Sequence, residues 1–199
     1  MVGSNIPTYE LIEWDNTRIE RFGNHNSKYI LYIGDSISVG VRDAANTLSE
    51  YRYIFDGFAT SKSLDNPVFI DSVYLFAKQM PRVDAVIFNN GLHGWHLTED
   101  EYATYYEVFV KGLLERFGDV PVIMLLTTYS EHAEYPNGRV QARNVIAERI
   151  AERYNVPIMD LYIVAEDNKQ YISDGVHFHS DGYMALAQKV VGEVRKFLV

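Results

Sequence analysis

Apolar and polar positions alternate in blocks along this chain. Tyr29 to Ile33 is a short continuous apolar run closed by Gly34, and Ile37 to Leu48 then reads as helix, giving strand, tight turn and helix in succession. Tyr51 to Phe55 predicts a second strand, ended by Asp56 and Gly57. Asn66 followed by Pro67 has the form of a capped helix start, with the helix running to about Met80 and offering Val68, Val73, Phe76 and Ala77 to a core. Val83 to Phe88 is a continuous apolar strand of the kind buried on both faces in a parallel sheet. Thr98 and Glu101 have capping-box spacing and open a helix carrying Tyr102, Tyr105, Phe109 and Leu113 that ends near Gly118. Val120 to Leu126 predicts another buried strand, Thr127 to Gly138 a loop, and Val140 to Tyr154 a helix with Val145, Ile146 and Ile150 at suitable spacing. Pro157 to Met159 is a short last strand, and after a loop through Gly175 a helix capped by Ser180 runs to about Leu198.

Strands alternate with helices, which implies a five-stranded parallel sheet with helices on both faces. No repeat, linker or low-complexity tract divides the chain, so residues 1–199 read as one domain, with 1–27 a polar extension packed on or beside it. In such sheets functional groups gather at the carboxyl ends of the strands. Three polar clusters fall there: Gly34 to Ser38, the Thr60 to Ser63 loop, and Asn89 to His96. A fourth, Asp174 to His179, precedes the last helix.

Composition removes several chemistries. A formal net charge of -9 with no basic run argues against nucleic acid as a partner. The absence of cysteine removes disulfides, thiolate metal sites and cysteine nucleophiles. No apolar run reaches the roughly 18 residues of a membrane span. Met1 to Glu10 lacks the basic and apolar regions of a signal peptide; a soluble protein is expected, cytoplasmic by default, with the compartment open because a trimmed secreted form would read the same.

A serine on a sharp strand-to-helix turn exposes its hydroxyl above the sheet while nearby backbone N–H groups point at a developing oxyanion. Ser36 in Gly34-Asp35-Ser36 occupies such a turn. The plainer reading is that Ser36 only caps the following helix. A serine nucleophile needs a base, and the base needs an orienting group. Asp174 and His177, three residues apart, can share one side of a turn, with the carboxylate fixing the imidazole tautomer. The plainer reading of that pair is a solvated surface loop.

These residues carry a resemblance. Tyr32-Ile33-Gly34-Asp35-Ser36-Ile37-Ser38 resembles the first block of the GDSL or SGNH hydrolases, and Asp174-Gly175-Val176-His177 resembles their last, Asp-x-x-His block. Both lie where that family has them, one after the first strand and one before the last helix. The resemblance implies a flavodoxin-like three-layer α/β/α sandwich around the five-stranded sheet. It also implies a Ser36, His177 and Asp174 triad and hydrolysis of acyl esters through an acyl-enzyme, a mechanism that requires no metal or organic cofactor.

Two blocks depart from the family. Its members complete the oxyanion hole with a glycine N–H and with an asparagine amide from Gly-x-Asn-Asp. Here Ser61 stands at the glycine position, and Asn89-Asn90-Gly91-Leu92-His93-Gly94 puts His93 at the donor position. The hole can therefore be composed of the Ser36 N–H, the Ser61 N–H and the His93 ring, or Asn90 can deliver its amide from the strand end.

His93 and His96, with His177 and His179, could also form a metal site, though their spacing matches no specific zinc motif. Trp95, beside the third block, could stack on a sugar or pack an acyl group. Arg42, Lys62, Glu131 and His132 could line the mouth of the cleft, though solvated loop charges are the simpler reading. The reading is an esterase acting on a small-molecule or carbohydrate ester such as an O-acetyl sugar. An acyltransferase with the same triad and a non-catalytic carbohydrate-binding protein are the alternatives. The sequence leaves oligomeric state open.

Overall fold

The apolar run that begins near residue 28 becomes the middle of a sheet, where both faces of a strand must be covered. The computed structural model describes residues 10, 12–20 and 23–198. In chain order the elements are β1 (Asp15–Arg18), β2 (Lys28–Gly34), α1 (Ser36–Leu48), β3 (Tyr53–Thr60), α2 (Phe69–Ala77), β4 (Ala85–Phe88) and α3 (Glu99–Phe117). There follow β5 (Val122–Leu125), α4 (Asn137–Tyr154), β6 (Ile158–Met159), α5 (Tyr162–Asp167), a 3-10 turn (Lys169–Tyr171) and α6 (Ser180–Phe197). The strand order is β1-β3-β2-β4-β5-β6. β2 to β6 are parallel, and β1 lies antiparallel on the outer edge of β3. Apart from β1, this is the flavodoxin-like winding, whose ligand crevice opens where the chain reverses direction across the sheet, at the carboxyl end of β2.

Alternate residues of β2 serve the two faces. Tyr29, Leu31 and Ile33 pack with Phe69 and Val73 of α2, Phe109 and Leu113 of α3, and Ile150 of α4. Ile30 and Tyr32 pack with Val41 and Ala45 of α1, Ala165 of α5, and Leu186 and Val190 of α6. The three-layer α/β/α architecture expected from the sequence is therefore present, with helices on both faces. Among the described residues no helix is long and apolar enough to cross a membrane.

Several expectations need correction. The sheet has six strands rather than five, because part of the N-terminal extension joins it as β1. That strand carries no apolar alternation: all four of its residues are exposed, and only backbone pairing with β3 makes it a strand. β3 does not stop at Asp56 and Gly57 but continues to Thr60. Asp56 is buried and accepts the Glu20 N–H at 2.8 Å. Gly57 is required by packing, since a Cβ there would lie 2.0 Å from Nη1 of Arg42. Arg42 itself is buried against Asn16 and does not line a cleft mouth. α2 starts later than expected: Asn66 caps the turn before it, accepting the Val68 N–H, and Val68 is exposed. In α3 it is Tyr106 that is buried rather than Tyr105, and in α4 Val145 faces solvent. The loop expected before Gly175 holds α5 and a 3-10 turn, both too short to leave a readable period.

Candidate active site

β2 delivers Gly34 and Asp35 to the carboxyl edge of the sheet. Asp35 caps α1, its carboxylate accepting the Ile37 N–H at 2.9 Å. Ser36 is thus the first residue of the helix, half-buried, and its N–H has no carbonyl one turn earlier in the helix to receive it. Gly34 leaves room for the turn, because a Cβ there would meet the Ser38 side chain at 2.6 Å. Burial pushes the Asp35 carboxyl up, opposed in order by the His93 ring, the Ile37 N–H and the His177 ring. Both imidazoles therefore lie close to the residue that precedes Ser36.

His177 reaches Ser36 from the far end of the chain. Residues 172–178 form a narrow turn closed by an Ile172 to Phe178 bridge and by the Ser173 N–H on the His177 carbonyl at 2.7 Å. Within it Asp174 Oδ1 accepts the N–H groups of Val176 (3.0 Å) and His177 (2.8 Å). Gly175 turns the chain with φ at 92°, a conformation open mainly to glycine. Asp174 Oδ2 lies 2.8 Å from His177 Nδ1, and His177 Nε2 lies 2.7 Å from Ser36 Oγ. The His177 backbone N–H, then its ring, hold the Asp174 carboxyl far below the usual carboxylate range. An ionised Asp174 places the ring proton on Nδ1 and leaves Nε2 as the acceptor facing the hydroxyl.

The structure brings Ser36, Asp174 and His177 together and treats the other expected residues differently. The Ser61 N–H donates to the Trp14 carbonyl at 3.1 Å, and the Trp14 N–H donates back to Ser61 Oγ at 2.9 Å. The segment before β1 thereby engages the N–H assigned to the oxyanion hole. Asn90, buried at the end of β4, donates from Nδ2 to the Lys62 carbonyl at 2.9 Å, tying two loops together. Of the side chains considered as oxyanion donors, His93 is the one whose ring is not engaged with a backbone carbonyl among the described residues.

Trp95 is also committed to structure. Its indole N–H donates to the Leu92 carbonyl at 2.7 Å, and its ring packs against the guanidiniums of Arg143 (4.2 Å) and Arg139 (5.0 Å). Its half-buried remainder meets Tyr135 at 5.7 Å, and Tyr135 meets His132 at 5.0 Å. The backbone and Cβ of His132 in turn pack on Gly175, which brings this row of rings beside the His177 turn. Among the described residues no group of three or more histidines and carboxylates is placed to hold a metal ion: His96 faces Asp65 at 2.9 Å, His93 faces Glu10, and His177 faces Asp174.

Three residues escaped the sequence reading. Arg143 of α4 is fully buried and donates to the carbonyls of Gly91 (2.9 Å), His93 (2.7 Å) and Gly94 (2.7 Å). Its guanidinium also lies 4.4 Å from the Tyr102 ring. Glu10 accepts the Gly94 N–H, and Trp14 packs edge-on to His93. Nothing in local sequence marks them: Arg139 and Arg143, one turn apart in a polar helix, look like a solvated face, and Glu10 and Trp14 act across long sequence separations.

No protein-family model and no curated protein matches the chain by sequence. Solved structures do match its fold. The chain resembles a lipase/acylhydrolase from Enterococcus faecalis at 20% identity and a TM-score of 0.68, over 86% of this chain and 97% of that one. An acetyl xylan esterase aligns at 17% identity and a TM-score of 0.60, over 83% of this chain and 99% of that one. A carbohydrate esterase family 3 protein from Talaromyces cellulolyticus aligns at 14% identity and a TM-score of 0.65, over 86% of this chain and 98% of that one. The chain therefore has the fold of the GDSL-like hydrolases.

Proposed function

We propose that this protein is a serine esterase that cleaves acyl esters through an acyl-enzyme on Ser36, with O-acetyl groups on carbohydrate as its substrate class. The observation that carries the reading is the continuous contact from Asp174 through His177 to Ser36, at 2.8 and 2.7 Å, over the crevice end of the sheet. Ser36 Oγ attacks the acyl carbonyl as its proton passes to His177 Nε2. The ester C–O bond then breaks and His177 returns the proton to the departing alkoxide. Water attacks the acyl-enzyme, giving its proton to the same nitrogen, and release of the acid restores the Ser36 hydroxyl. Asp174 holds the ring orientation and stabilises the imidazolium. The Ser36 N–H and the His93 ring face the developing oxyanion. The carbohydrate reading draws support from the partly exposed Tyr135 and His132 rings, with Trp95 packed behind them, and from the esterases that share the fold.

The test is hydrolysis of p-nitrophenyl acetate beside acetylated xylo-oligosaccharides. Acetate release by the wild type, lost in Ser36→Ala and His177→Ala variants that remain folded, is the expected result. Full acetate release by folded Ser36→Ala would overturn the mechanism. Acetate transfer to an added alcohol in preference to water would reassign the protein as an acyltransferase, and a folded wild type that binds the oligosaccharides without cleaving them would make it a binding protein.

A further inference from the structure

The loop Gly91 to Gly94 is held from two sides. From within, Arg143 grips three of its carbonyls. From outside, Glu10 accepts the Gly94 N–H at 2.8 Å and lies 3.6 Å from His93 Nδ1. The Trp14 ring stands edge-on to that of His93, centroids 6.2 Å apart, and the His93 side chain is left 15% exposed. The His93 ring holds the Glu10 carboxyl below its usual range; burial acts against this, and the Gly94 N–H assists it.

This arrangement constrains what His93 can donate. A neutral imidazole has one N–H, and a carboxylate facing Nδ1 keeps the proton on that nitrogen. Nε2 then carries a lone pair, which repels an oxyanion. The ring donates from Nε2 only when both nitrogens are protonated. An asparagine amide, the donor in the family that the end blocks resemble, meets no such condition. A histidine in its place therefore needs a fixed counter-charge, and Glu10 provides one.

We propose that Glu10 is a positioning residue for the oxyanion hole, holding His93 as an imidazolium whose Nε2–H donates to the tetrahedral intermediate; this rests on the esterase reading above. Against His93 stand Glu10 before β1, which faces its ring, and Arg143 from α4, which holds its carbonyl; His96 and Tyr135 interact with the same Glu10, and Asp35 at the β2–α1 turn interacts with the rings of both His93 and His177. A charged N–H donor is also about twice as strong as a neutral one.

The experiment compares Glu10→Gln, Glu10→Asp and Glu10→Gln combined with His93→Asn, using p-nitrophenyl acetate kinetics and nitrogen-15 imidazole spectra of histidine-labelled protein. Glu10→Gln is expected to lower kcat roughly 10²-fold at unchanged KM, the lower end of the loss for one oxyanion donor. Glu10→Asp recovers part of that loss. In the His93→Asn background Glu10→Gln costs less than about 2-fold, because an amide needs no counter-charge. The spectra show both His93 nitrogens protonated in the active wild type and one in Glu10→Gln, with the His93 signals assigned by their absence from His93→Asn. A neutral His93 in the wild type, an unchanged kcat in Glu10→Gln, or an equal loss in both backgrounds overturns the proposal. If Ser36→Ala retains hydrolysis, the esterase reading fails instead, and the spectra still decide whether Glu10 holds His93 charged.

Discussion

Replacing Arg143 with methionine removes the central support of the loop that carries His93. The side chain is completely buried, donates three charge-assisted hydrogen bonds of 2.7 to 2.9 Å, and lies 4.2 and 4.4 Å from the Trp95 and Tyr102 rings. Each such hydrogen bond contributes about 1.5–3 kcal/mol and each desolvated cation–π contact up to about 2 kcal/mol. These terms share one guanidinium and do not add, and methionine refills part of the volume without satisfying the three carbonyls. The expected loss is about 3–5 kcal/mol, the range for breaking a buried charged contact from one side. For a chain of this size the urea slope is about 2 kcal/mol per molar, so the midpoint should fall by about 1.5–2.5 M at unchanged slope. Arg143→Lys keeps the charge but lacks the planar fork that reaches three carbonyls, and should lose about half as much. A midpoint shift below about 0.5 M for the methionine variant, or a lysine variant as stable as the wild type, would refute the reasoning.

The acid side of the activity profile follows from Asp174. Its folded carboxyl is depressed, so its contribution is present above the ordinary aspartate range and is lost only as pH falls through the lower folded value. Asp174 therefore stays ionised, and keeps orienting His177, on mild acidification, and the stability difference between wild type and Asp174→Asn should hold above the ordinary aspartate range and shrink as pH falls from there toward the lower folded value; a difference that grows on acidification contradicts this. Asp174→Asn itself should lower kcat by about 10²- to 10⁴-fold through loss of the ring orientation, and a loss below about 10-fold would show that the turn alone positions His177. Gly57→Ala places a Cβ 2.0 Å from Nη1 of the buried Arg42 and should cost about 1–3 kcal/mol in thermal or urea unfolding; unchanged stability would mean that Arg42 moves without penalty.

The parts of this protein that were legible in its sequence are those specified by neighbours in the chain. Gly34-Asp35-Ser36 is a strand end, a cap and a helix start, and Asp174 to His177 is a turn closed on its own backbone. Each reads locally, although their meeting depends on the sheet that joins them. The apolar runs of β2 and β4 read as buried strands for the same reason. The failures share another cause. Ser61 aligns with an oxyanion donor, yet its N–H is taken by Trp14, 47 residues earlier, because β1 pairs along β3 and carries the chain over that loop. β1 has exposed side chains throughout, so periodicity cannot register it. The Asp56-Gly57 turn signal is overridden because the aspartate has the Glu20 N–H to accept and the glycine makes space for Arg42. His93 is readable as a donor, but the carboxylate that faces its ring, Glu10, comes from a distant part of the chain.

Intact-mass measurement after exposure to a fluorophosphonate tests Ser36 as the nucleophile without assuming any substrate. One phosphonyl adduct per chain is expected, located on Ser36, formed slowly or not at all in His177→Ala and absent from Ser36→Ala. A folded wild-type protein that takes no adduct, or a Ser36→Ala variant labelled to the same extent, would contradict that role.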